Sequence, residues 1–155
     1  MSIRLYREYQ IKFYLNARHY IIVNGRKGEA HSHTWEFALT IKFGRTSFVE
    51  FNVFEKGISD YLSQYQNTVL NEQPPFDGIL PTLENMVDYF SDEFYRIIHD
   101  IGGVLTRIEG SETPTRSYIL NLTGDEEHAR RSEDVEASIL SDVMDAVLDE
   151  IVEER

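Results

Sequence analysis

The sequence predicts an α+β fold in the order ββ, helices, ββ, and three observations carry this. Apolar and polar residues alternate in the opening third and again near residues 104–122. Between those stretches the apolar residues fall at helical spacing. A segment with three prolines and a glycine, Asn71–Pro81, divides the helical part in two.

The opening, Ile3–Val23, is rich in Tyr, Phe, Ile and Val and fits one strand or two. Val23–Ala30 carries two glycines among charges and is expected to be a loop. In His33–Phe43 the alternation is plain. Trp35, Phe37, Leu39 and Ile41 share one face, and Glu36, Ala38, Thr40 and Lys42 the other. Gly44–Ser47 is expected to turn, and Phe48–Phe54 to form a short strand. Together these segments suggest an antiparallel pair with a functional loop between its strands.

Asn52–Leu70 has helical spacing at Phe54, Ile58, Tyr61, Leu62 and Tyr65. The stretch from Thr82 to Gly102 is a clear helix. Thr82 is a good N-cap, and Met86, Tyr89, Phe90, Phe94, Ile97 and Ile98 form the stripe. Gly102 and Gly103 end it. Val104–Glu112 and Arg116–Leu122 are expected to close the fold as a pair of strands. Residues 123–155 are expected to be an acidic amphipathic helical extension, a third helix over residues 125–155 in which Val135, Ile139, Val143, Val147 and Ile151 recur every four residues. A helix packed on its own domain, an oligomer- or partner-binding helix and a frayed tail all fit this pattern. The domains are thus residues 1–122 and the extension 123–155.

At 155 residues the chain suits one domain with its own core. No apolar run approaches the roughly 20 residues of a membrane helix, and the first residues do not resemble a signal peptide. A cytoplasmic protein that does not engage membranes is the expectation. Zero cysteines exclude disulfides, thiolate zinc sites and a cysteine nucleophile. The net charge of −12 is unevenly placed. From Asp125 onward there are 12 acidic and three basic residues, a net −9; before it there are 15 and 12, a net −3. With no basic cluster, nucleic acid is not an expected partner.

Two of the five histidines, His31 and His33, sit one residue apart on the strand beginning near Ala30. On a strand they point the same way, and His19 lies on the preceding strand across the loop. Three neutral imidazoles would leave one tetrahedral position open, as catalytic zinc requires. A bound zinc could polarise a substrate carbonyl or hydroxyl. By itself a His-x-His pair on a strand is more often two surface histidines than a pair of ligands.

The chain resembles the 6-pyruvoyl-tetrahydropterin synthase and 6-carboxytetrahydropterin synthase family. The resemblance rests on six short segments in the family's order. They are "NARHY" at a metal-ligand strand, "AHSHTWEFALTI" at the G-H-x-H-x-[YFW] strand and "FVEF" before the first helix. "VLNEQPPFD", "PTLEN" and "EGSET" follow. The resemblance implies the tunnelling fold, a ββααββ unit with helices on one face of an antiparallel sheet. Such units assemble as homo-oligomers, a barrel trimer or a hexamer of two trimers. It also implies zinc on His19, His31 and His33, and a pterin-like ligand anchored by Glu112, with Thr113 beside it. A carboxylate suits that role, because it can accept two parallel hydrogen bonds from an N–H and an amino group. Glu84, in the P-T-x-E-N segment, is either a substrate contact or a first-turn residue favoured by the helix dipole.

The chain also departs from the family. The usual cysteine, four residues before the His-x-His, is replaced by Lys27. The usual Asp-His pair falls on Gln66 and Asn67, or on Asn71 and Glu72 if the register slips. His99 and His128 match no family position. General acid–base catalysis contributes about 10²–10⁴-fold, so three outcomes follow. The first is a changed zinc-dependent lyase acting on a dihydroneopterin triphosphate-like pterin, with Glu29 or Lys27 moving protons. Some relatives use a glutamate for the cysteine, and Glu29 is the nearest candidate. The second is a pterin-like ligand-binding protein without catalysis, and the third a scaffold without metal. The acidic tail suits assembly or a protein partner.

Overall fold

A computed structural model describes residues 6–44 and 48–122. Two 14-residue strands form its centre, β1 (Tyr6–His19) and β4 (His31–Gly44). They pair antiparallel without a slip, from Tyr6 opposite Gly44 to His19 opposite His31. The odd-numbered residues of both strands therefore share a face. Leu15, Trp35, Phe37, Leu39 and Ile41 on that face are fully buried, and Phe13, Ala17 and Phe43 nearly so. The other face is polar near its middle, where Lys12 Nζ lies 3.3 Å from Glu36 and the Tyr14 hydroxyl donates to the same carboxylate.

The segment between these strands contains more than a loop. Ile22–Val23 (β2) and Arg26–Lys27 (β3) pair as a small hairpin. Its turn residues, Asn24 and Gly25, have φ of 53° and 74°. A two-residue hairpin turn with positive φ at both positions favours Asn-Gly, since Asn tolerates this region and Gly has no Cβ to clash.

Helix α1 (Phe51–Ser63) buries Phe54, Ile58 and Leu62. The short strand expected over Phe48–Phe54 is not formed. Residues 48–50 have no regular structure and the helix starts at Phe51. The four-residue spacing of Phe54, Ile58 and Leu62 prevails over the brief alternation before it, and Phe48 is 85% exposed, with no buried face to join. The helix also ends earlier than its spacing suggests; Tyr65 is buried but lies beyond it. A 3₁₀ turn at Leu70–Glu72 precedes the proline-rich stretch.

Helix α2 (Leu83–Asp100) buries Met86, Val87, Phe90, Phe94 and Ile98. The Thr82 side chain accepts the Asn85 N–H, as an N-cap should. At the other end Gly102 takes φ of 100°, and the N–H groups of Gly102 and Gly103 bond to the carbonyls of His99 and Ile98. Phe37 packs edge-on against Phe90, and Phe43 against Phe54. Both helices thus cover the odd face of the sheet. Burial of each such aromatic side chain is worth about 2–3 kcal/mol.

Strands β5 (Val104–Thr113) and β6 (Arg116–Asn121) complete the sheet in the order β1-β4-β5-β6. The expected α+β architecture, with helices on one face of an antiparallel sheet, is the one formed. Gly110 is required where α2 crosses β5, because a Cβ there would lie 2.3 Å from Val87 Cγ2.

The outer edge of β1 is covered by residues 66–71. The Gln66 side chain accepts from the Asn16 N–H and donates to the Tyr14 carbonyl. Backbone bonds join Asn67 N–H to Asn16 O and Arg18 N–H to Thr68 O. Asn71 then accepts from the Tyr20 N–H and donates to its carbonyl, both at 2.9 Å. Two side-chain amides thus extend a backbone pairing and satisfy an edge that would otherwise be open. The helix expected in residues 125–155 lies outside the described residues, as does most of the turn at Gly44–Ser47.

Candidate metal centre and ligand cleft

The β1–β4 register brings His19 and His31 face to face at the end of the ladder, with His33 one pleat away, opposite Ala17. The His19 and His31 rings are 4.6 Å apart, and His33 lies 5.1 and 4.7 Å from them. One ligand nitrogen from each falls within 4.8 Å of the others.

The hydrogen bonds decide the tautomers. His19 Nδ1 lies 2.7 Å from the Pro81 carbonyl, and His31 Nδ1 lies 3.1 Å from the Glu29 carbonyl. A carbonyl only accepts, so each Nδ1 carries a proton, and in the neutral form of each ring Nε2 keeps a lone pair. The two Nε2 atoms are 3.0 Å apart. Two lone pairs at that separation repel unless a cation lies between them. Ring N–H groups held by backbone carbonyls are also the usual outer support of metal-bound histidines. The donor set fits a metal ion, and these three residues could hold one.

His19 is 2% exposed. Burial pushes its imidazole below the ordinary histidine range, against the upward pull of the Pro81 bond and the Glu112 charge. The neutral ring favoured by burial is the form that binds metal.

Glu112, on β5, is the fourth member of the group. Its Oε1 accepts from the Trp35 indole N–H at 3.1 Å and lies 3.9 Å from His19 Nε2. Trp35 is fully buried, so it holds the carboxylate from beneath. His19, His31 and Glu112 open on one cleft of about 380 Å³, together with Glu84, Arg116 and Tyr118.

The other expected site residues are placed differently. The exposed Glu84 lines the cleft from the first turn of α2. The Thr113 hydroxyl bonds with Thr115 in the β5–β6 turn and is not in the cleft wall. Lys27 lies on the exposed hairpin with its ammonium 4.1 Å from the Tyr20 ring centre. Glu29 is exposed and meets the histidines through its backbone carbonyl. Neither of these two side chains lines the cleft. Gln66 and Asn71, which stand in the two alternative registers for the family's Asp-His pair, are bound to the backbone, Gln66 to Tyr14 and Asn16 of β1 and Asn71 to Tyr20 just beyond it.

Trp35 was legible only as a core residue, and its role in holding Glu112 depends on pairing between β4 and β5. The Pro81 carbonyl carries no side-chain signal at all. Arg116 and Tyr118 enter the cleft because β6 folds back beside β5.

Residues 8–122 match the family model for 6-pyruvoyl tetrahydropterin synthase. No curated protein sequence matches the chain. Among solved structures, the chain is similar to 6-pyruvoyl tetrahydropterin synthase from Caenorhabditis elegans, with 14% identity and a TM-score of 0.64. That alignment covers 78% of this chain and 99% of the other. The Plasmodium falciparum enzyme gives 14% and 0.54, covering 74% and 96%. A catalytic-residue mutant of the Plasmodium vivax enzyme, glutamate to alanine, gives 12% and 0.56, covering 75% and 97%. At these identities the structures testify to the fold, while the match across residues 8–122 testifies to descent. The chain belongs to the 6-pyruvoyl tetrahydropterin synthase family.

Proposed function

We propose that this protein is a zinc-dependent lyase of the 6-pyruvoyl/6-carboxy-tetrahydropterin synthase type, acting on a dihydroneopterin triphosphate-like pterin. The observation that carries the reading is the convergence of His19, His31 and Glu112 on one cleft, with a His33 ring nitrogen within 4.8 Å of those of His19 and His31. His19, His31 and His33 would hold zinc. When bound, zinc supplies a Lewis acid that polarises a substrate carbonyl or hydroxyl. Glu112, steadied by Trp35, accepts paired hydrogen bonds from the aminopyrimidine edge of the pterin. Glu84 and Thr113 are further proposed contacts, Glu84 at the cleft wall and Thr113 beside Glu112.

Of the two proposed proton-transfer residues, Glu29 leads. Its backbone is tied to His31, and its side chain is on the unstructured stretch just before β4. A glutamate is also the catalytic residue replaced in the Plasmodium vivax relative. Lys27 is the second candidate, although it is engaged by the Tyr20 ring. The protein is proposed to act in the cytoplasm as a homo-oligomer, a trimer or hexamer, with the cleft completed at a subunit interface and the acidic extension free for a protein partner. Among the described residues β6 is the edge strand of the sheet, which supports assembly through the sheet. No helix among the described residues is long and apolar enough to cross a membrane.

A second reading, ligand binding without turnover, is favoured by the position of Lys27 and Glu29 outside the cleft wall. The test is the metal content of protein purified without added metal or chelator, compared with a His31→Ala/His33→Ala double variant. About one zinc per chain is expected, and none in the variant. Turnover of 7,8-dihydroneopterin triphosphate by the loaded protein supports the lyase; binding without turnover supports the second reading. Folded wild-type protein with neither metal nor pterin binding refutes both.

A further inference from the structure

An elimination or isomerisation on a polyol side chain needs a proton taken from substrate and a route for it to leave. The ionisable groups of the cleft wall are His19, His31, Glu84, Glu112, Arg116 and Tyr118. The histidines and Glu112 are committed to metal and ligand on the reading above, and an arginine does not release its proton. Glu84 and Tyr118 remain. Of these, Tyr118 has a second group behind it.

Tyr118, on β6, is half-buried in the wall. Its hydroxyl donates to Asp88 Oδ1 at 2.8 Å. Asp88 lies on α2, one turn after Glu84, and is exposed to water. The phenol therefore has one side toward the cleft and its proton pointed at a carboxylate in contact with solvent.

We propose that Tyr118 and Asp88 form a proton relay between the cleft and bulk water, for a substrate proton other than the one given to Glu29 or Lys27; the proposal rests on the pterin-lyase reading. The substrate proton passes to Tyr118 Oη as the phenol's own proton passes to Asp88 Oδ1. Tyr118 ends as it began, Asp88 ends as a carboxylic acid, and the substrate is left with the electron pair of the broken bond. Asp88 then returns the proton to water. The Asp88 bond, with burial and the charges of Asp88 and Glu84, pushes the phenol up to about 12. At neutral pH it keeps the proton it must hand on.

The test uses the full-length, zinc-loaded protein with 7,8-dihydroneopterin triphosphate, and the variants Tyr118→Phe and Asp88→Asn. Asparagine still accepts a hydrogen bond from Tyr118 but cannot take up a proton. The relay predicts a fall in kcat of about 10²-fold or more for both variants. Zinc content and pterin affinity, read by pterin fluorescence, should change less than about twofold, well under the tenfold step of 1.4 kcal/mol. A kcat retained in Asp88→Asn overturns the relay and leaves Tyr118 a positioning residue. A kcat retained in Tyr118→Phe but lost in Glu84→Gln overturns it in favour of Glu84. Wild-type protein that binds the pterin without turning it over overturns the relay alone. Failure of the wild type to bind pterin overturns the pterin reading, and the relay with it.

Discussion

The end of β1 and the hairpin that follows it differ sharply. His19 and Tyr20 are tied to the rest of the molecule by Pro81, Asn71 and the β1–β4 ladder. The hairpin only a few residues on, with Ile22, Val23 and Lys27 exposed, is held by its own two-residue ladder, one backbone bond from the Gly28 N–H to the Ile21 carbonyl and the Lys27 ammonium over the Tyr20 ring. Closeness in sequence to a metal ligand therefore does not place a side chain in the site. A group becomes fixed where several elements converge on it, and Lys27 lacks that convergence.

The contrast can be broken most severely at His19. His19→Ala removes a buried ring and leaves the Pro81 carbonyl without its donor, at a cost of about 2–4 kcal/mol. Thermal unfolding without metal should show a loss of roughly 5–15 °C. A shift below about 2 °C would mean that this end is not held as the hydrogen bonds suggest. Next comes Asn71→Ala, which strips both bonds from the Tyr20 backbone. We expect a loss of about 1–3 kcal/mol and a drop in zinc affinity of about tenfold, measured by competition with a chelating dye. Unchanged zinc affinity would separate the edge cover from the metal centre. The smallest effect belongs to the hairpin. Lys27→Ala should alter stability by less than about 0.5 kcal/mol, as an exposed residue does. A larger loss in denaturant unfolding would show the hairpin to be better anchored than its contacts imply.

Much of this architecture was legible in the sequence because it depends on short-range periodicity. The alternation of Trp35, Phe37, Leu39 and Ile41 determined the buried face of β4, and with it the common direction of His31 and His33. The stripe from Met86 to Ile98, with Thr82 before it and two glycines after it, determined α2. The Asn24-Gly25 pair also carried a hairpin signal, which the surrounding charges and second glycine obscured. At Phe48–Phe54 two local patterns overlapped, and packing against the sheet selected the helical one.

What only the tertiary structure decided lies in contacts between residues far apart in the chain. His19 meets Pro81, Tyr20 meets Asn71, Trp35 meets Glu112, and Tyr118 meets Asp88. None of these pairs has a spacing that a helix or strand period would reveal. Each exists because the tertiary packing brings two distant segments close enough for a side chain of one to bond to the other. The sequence by itself determined which residue types face inward; long-range packing decided which of them bring the three histidines together, and which remain outside.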